Sequence, residues 1–155
     1  MTSFAVTALP ADELERIRER RVDDFGNAFV PTVVTEAGGT PLRCCLRDAE
    51  PGERVALIAW QPASVGGPYA EVGPVFVHAE ACAGYVDTGR YPEGFRHRTQ
   101  LLRAYDARGR QVDNLLVDGA EADPVLSELI ARPGVAFVHS RNPMAGCYMF
   151  AVSSR

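Results

Sequence analysis

Residues 135–152 read VAFVHSRNPMAGCYMFAV. Two apolar runs, 135–138 and 147–152, flank the polar loop 139–146. Each run has the length and content of a buried strand, and Pro143 and Gly146 punctuate the loop, so the stretch predicts a β-hairpin. A hairpin needs no imidazole, guanidinium, carboxamide and thiol around its loop, yet His139, Arg141, Asn142 and Cys147 stand there. Strand ends present side chains to clefts, and function concentrates on such loops.

Working outward, residues 95–105 alternate apolar and polar up to the turn 106–109, which ends in Gly109, and 110–118 return as the partner strand. Asp123 and Pro124 open a helix whose apolar face is Val125, Leu126, Leu129 and Ile130. Further upstream, 72–78 (VGPVFVH), 54–60 (RVALIAW) and 41–46 (PLRCCL) read as strands, the last two facing each other across a Pro-Gly turn at 47–53. Residues 29–36 alternate weakly as another strand. Residues 79–94 show no clear period, with a helical turn around Cys82 left open. Pro10 starts a first helix with Leu14, Ile17 and Val22 as its stripe and Gly26 as its stop, after a tail or edge strand at 1–9. About seven strands, two helices and tight turns predict a single α+β domain over 1–155. Its architecture is a curved, mostly antiparallel sheet or open barrel with helices on one side.

Composition excludes several chemistries. The apolar content of 46 % and charged content of 23 % suit a soluble globular protein. Net charge is −4 with no basic stripe, so nucleic acid is not an expected partner. All 16 basic side chains are Arg, which rules out a Schiff base, a P-loop lysine and a Ser–Lys dyad. No apolar run approaches the ~20 residues of a membrane span and the start lacks a signal-peptide pattern, so a cytoplasmic protein with no membrane partner is expected. The four cysteines lack framework spacing, and a bridge between adjacent Cys44 and Cys45 would be strained. Free thiols in a reducing compartment follow.

Four runs in one order carry a family likeness: RCCLRDAEPGE (43–53), PYAEVGPVFVHAEAC (68–82), LRAYDARG (102–109) and VAFVHSRNPMAGCY (135–148). From about residue 25 to 152 the chain resembles the bacterial family catalogued as domain of unknown function 1203. The matching positions include Arg43, Cys45, Tyr69, Glu71, His78, Cys82, Arg103, His139, Arg141, Asn142 and Cys147. The resemblance implies a single small bacterial domain and, by the family's name, no assigned activity.

Neither GxGxxG, GxSxG, HExxH, CxxC nor a Walker loop is present. The leading expectation is a small-molecule site for an anionic ligand. It is built from His139, Arg141, Asn142 and Cys147, with Arg43, Arg103 and His78 nearby and Tyr69 and Glu71 at its mouth. Arginines inside apolar strands demand a partner: a ligand carboxylate or phosphate, or an internal acid such as Glu71, Asp48 or Asp106. Catalysis enters through Cys147 and His139. Across the hairpin their Cβ atoms would lie ~5 Å apart, and imidazolium beside a thiol favours the nucleophilic thiolate. Two other classes stand beside this one. In a Cys₂His₂ zinc module, His78 and Cys82 at i, i+4 spacing would join His139 and Cys147, although neither half has a compact ligand knuckle. In a non-catalytic interaction or structural domain, these groups only tie loops together. Cys44 and Cys45, read as strand residues, would face opposite sides. No resident cofactor is expected, and a homodimer is left open.

Overall fold

The computed structural model describes residues 3–63 and 65–155. In chain order the regular elements are Phe4–Thr7 (β1), Ala11–Arg20 (α1), Thr32–Val33 (β2), Pro41–Leu42 (β3), Arg47–Asp48 (β4), Arg54–Trp60 (β5), Gly73–His78 (β6), Thr99–Tyr105 (β7), Gln111–Asp118 (β8), Ala122–Ala131 (α2), Phe137–Arg141 (β9) and Tyr148–Ser154 (β10). The class is α+β, as the sequence predicts. The strands divide between two five-stranded sheets, ordered β1-β10-β9-β7-β8 and β2-β5-β6-β3-β4. All pairings are antiparallel except β3 with β6.

Each sheet has its own helix and its own apolar cluster. Leu102, Ala104, Val138, Phe150 and Val152 of the first sheet pack with Leu126 and Leu129 of α2. Leu42, Val55, Ile58, Val75 and Val77 of the second pack with Leu14 and Ile17 of α1. The hairpin β9–β10 lies at the middle of the first sheet, and β7–β8 forms the expected hairpin beside it. β1 supplies the expected edge strand against β10; residues 1 and 2 of that segment lie outside the described residues.

Several boundaries differ from the sequence reading, each for a physical reason. Residues 41–46 are not one strand. After β3, residues 43–46 turn back tightly, the Leu46 N–H donating to Leu42 O at 3.0 Å. Leu46 holds φ at +59°, a left-handed conformation that a branched residue adopts only under constraint. The chain returns as β4, so the Pro-Gly turn joins β4 to β5, and β5 pairs with β6 and β2 rather than with β3. Around Cys82 there is no helical turn; 79–98 is irregular except for a 3₁₀ turn at Glu93–Phe95, and the strand expected from residue 95 begins at Thr99. α1 stops before Gly26, because Arg21 takes the left-handed cap and donates to Ile17 O. Finally, β9 runs through Arg141. His139, Ser140 and Arg141 are therefore buried strand residues rather than loop residues, with β7 pairing their other edge.

Candidate metal centre and hairpin cleft

In register, His139 stands opposite Ala151 on β10 and Arg103 on β7, not opposite Cys147. Its ring is fully buried among Tyr105, Phe137 and Tyr148, with ring centroids 4.9, 5.3 and 4.9 Å away. Burial first, and the Arg141 and Arg103 charges second, push its pKa down to about 3. The imidazole is thus neutral at ordinary pH, whereas activating a thiol in the expected way calls for an imidazolium. Cys147 Sγ instead receives Nη2 of Arg43 at 3.0 Å.

The other groups expected around the hairpin have partners of their own. Arg141 Nη1 lies 2.9 Å from Glu71 Oε2 and donates to Gly146 O, also at 2.9 Å. Arg103 reaches the same Glu71 oxygen at 3.4 Å and Asn114 Oδ1 at 3.3 Å. Both guanidinium groups therefore converge on one carboxylate. Asn142 Oδ1 accepts the N–H groups of Met144 and Ala145, closing the loop on itself. Tyr69, at the end of a 3₁₀ turn, is exposed. A cleft of about 340 Å³ remains beside the loop, with Trp60, Glu71, Arg141, Cys147 and Tyr148 among its walls.

A second constellation lies in the other sheet. The tight turn after β3 carries Cys44 and Cys45, β6 ends in His78, and Cys82 follows in the irregular segment. Sγ of Cys44, Cys45 and Cys82 and a ring nitrogen of His78 all lie within 4.8 Å of one another. Because Cys44 and Cys45 sit on a turn, the period-2 alternation of a strand does not separate them. His78 and Cys82 are brought together as the zinc expectation required, but their companions are Cys44 and Cys45; His139 and Cys147 belong to the hairpin. The four cysteines are free thiols.

The imidazole is oriented by a relay. Nδ1 of His78 faces the sulfurs, 3.4 Å from Cys44 and 3.8 Å from Cys45. Nε2 lies 3.1 Å from Glu53 Oε1. An ionised carboxylate only accepts, so Nε2 carries the proton and Nδ1 turns its lone pair to the sulfurs. Glu53 is gripped by both Nη atoms of Arg47, at 2.8 and 2.7 Å, and by the Glu50 N–H at 2.6 Å. These contacts, Arg47 first, hold its carboxyl well below the usual carboxylate range. The His78 N–H donates to Cys44 Sγ at 3.3 Å, and Arg18 clamps the His78 carbonyl with Nε and Nη2 at 3.2 and 3.0 Å. The hydrogen bond between the two thiols lowers the pKa of Cys45 and, with burial, raises that of Cys44, while burial raises that of Cys82. A cleft of about 350 Å³ borders the cluster, lined by Arg18, Cys44, Cys82 and Tyr85 among others.

The comparison with known families agrees with the four motifs. Residues 39–154 match the family described as Protein of unknown function (DUF1203). The chain belongs to that family. No curated protein and no solved structure matches it. The matched span includes all four sulfur and imidazole positions, Glu53 and Arg47, and every residue that lines the hairpin cleft. The zinc set expected from the sequence leaves out Cys44 and Cys45, and Glu53 falls within the expected turn 47–53. The available signal was two adjacent cysteines one short turn before a carboxylate, with His-x-x-x-Cys downstream.

Proposed function

We propose that this family member is a metal-binding domain that holds one zinc-class ion through Cys44, Cys45, Cys82 and Nδ1 of His78. The observation that carries the reading is the relay Arg47–Glu53–His78. A ligating histidine characteristically gives its other ring N–H to a carboxylate, which fixes its tautomer and raises its basicity. Here that arrangement aims Nδ1 at the Cys44 and Cys45 sulfurs, with Cys82 Sγ in the same cluster. Three thiolates and one imidazole make a soft, four-coordinate set suited to zinc, and a set with no open position suits a structural role.

The role follows from what the four residues connect. Residues 79–98 cross from β6 in one sheet to β7 in the other with little regular structure. Irregular connections beyond ~12–15 residues are uncommon unless something fastens them. Metal ligation would fasten Cys82 to the β3–β4 turn and to the end of β6, so that binding free energy becomes folding free energy. The pairing of Arg141 and Arg103 with Glu71 supports this reading over an anion site at the hairpin, since those cations already have a carboxylate.

Elemental analysis of protein purified without chelator tests the proposal. One zinc ion per chain is expected, lost in Cys82→Ser and retained in Cys147→Ser. Metal-free protein that cannot be loaded, or equal loss in Cys147→Ser, would overturn it.

A further inference from the structure

The Arg43 side chain is almost wholly buried, at 2 % exposure. Its guanidinium donates to two backbone carbonyls, Tyr148 O at 2.8 Å and Pro41 O at 2.5 Å, and to Cys147 Sγ at 3.0 Å. Among the described residues it forms no ion pair with a carboxylate. A buried cation is costly unless an anion faces it. The group facing it that can become one is the Cys147 sulfur, which is half-buried and lines the hairpin cleft. We propose that Cys147 and Arg43 form a second site, independent of the metal centre, in which Cys147 is a nucleophilic thiol modified by neutral hydroperoxides that enter the cleft.

The cleft explains the choice of reactant. The two ionised side chains that line it, Glu71 and Arg141, face each other at 2.9 Å, and Arg103, which shares that carboxylate from 3.4 Å, is not among the walls. The remaining walls include Trp60, Val72 and Pro74, so an uncharged reactant fits better than an anion. The charges that face the sulfur are therefore Arg43 from the β3–β4 turn, with the Arg141–Glu71 pair across the cleft. Position is set in advance. The Cys147 carbonyl accepts the Asn142 N–H at 2.9 Å, the Gly146 N–H donates to Asn142 O at 2.8 Å, and Gly146 holds φ at +77°, which favours glycine. The role expected for His139 passes to Arg43, a group that is always charged.

The step balances as follows. The Cys147 thiolate attacks the terminal oxygen of R–O–O–H; the S–O bond forms from a sulfur lone pair as the O–O bond breaks. Sulfur is oxidised by two electrons to sulfenic acid. The hydroperoxide is reduced, leaving as alkoxide and taking a proton from solvent to become the alcohol.

The test is site-resolved mass spectrometry on the full-length protein. After one equivalent of cumene hydroperoxide with dimedone present, the sulfenic-acid adduct should appear on Cys147. Iodoacetamide at pH 6.5 should alkylate Cys147 at least about tenfold faster than it alkylates free glutathione, as expected for a thiolate held by a cation. In Arg43→Lys, if it folds, the rate should fall severalfold; the wild-type comparison with glutathione stands even if it does not. Alkylation no faster than glutathione, or no adduct on Cys147, overturns the proposal. Because each cysteine is read separately, failure at Cys147 is distinguishable from the absence of a metal.

Discussion

Replacing Glu53 by Gln keeps the size of the side chain and removes its charge, which makes it a sharp probe of the His78 relay. Glu53 accepts from His78 Nε2, from both Nη atoms of Arg47 and from the Glu50 N–H. A carboxamide offers a single acceptor oxygen, and its NH₂ would face one of these donors. The His78 N–H or the Arg47 fork must lose its partner, and the imidazole loses the carboxylate that fixes its tautomer. Loss of a partner of this kind typically costs 10–100-fold in metal affinity, about 1.4–2.8 kcal/mol. The side chain is 27 % exposed, so water compensates part of the loss, and about tenfold is expected. Competition for zinc against a chromophoric chelator, wild type beside Glu53→Gln, gives the ratio directly. Thermal melts of both proteins in excess chelator separate out any effect on the metal-free fold. An unchanged zinc affinity would refute the relay, and with it the argument that Nδ1 is a ligand.

Acid should destabilise the protein through His139. Its folded pKa is about 3, against roughly 6.5 in an unfolded chain. Its contribution is therefore intact above about 6.5, and stability falls as pH drops from there toward 3, by up to about 1.4 kcal/mol per pH unit. Melting temperatures from pH 7 to 4 should fall less steeply in His139→Phe than in wild type, and parallel slopes would count against a buried neutral imidazole. Arg141→Ala should lower stability by about 1 kcal/mol, because the buried guanidinium gives up its hydrogen bond to Gly146 O and its pairing with Glu71 in a part-buried setting. For a chain of this size that is a drop of roughly 2–4 °C in Tm per kcal/mol. An unchanged Tm would mean that Arg141 is not a structural tie and is available to a ligand.

The outline of the fold was legible because its longest strands announce themselves. Alternation up to Gly109 located the β7–β8 hairpin, and the apolar runs around 139–146 located β9–β10. The two-residue strands were less legible: β2 and β3 lie inside longer runs read as strands, 29–36 and 41–46, and β4 inside the expected turn 47–53, because two residues show no period and tertiary pairing alone sets their bounds. One misreading there had a chemical consequence. Taking 41–46 as a strand sends Cys44 and Cys45 to opposite faces, whereas the turn ending in the left-handed Leu46 puts both beside His78. Burial changes what the polar groups of the hairpin can do: His139 and Arg141 are strand residues inside the sheet. A long-range contact, Arg43 to Cys147, replaced the local pair His139–Cys147 that sequence proximity suggested.

X-ray absorption at the zinc edge tests the central claim most directly. The account predicts a first shell of three sulfurs at about 2.3 Å and one nitrogen at about 2.0 Å, unchanged by Cys147→Ser and short of one sulfur in Cys45→Ser. A shell of nitrogen and oxygen alone, or one that loses its sulfur on Cys147→Ser and keeps it on Cys45→Ser, would contradict it.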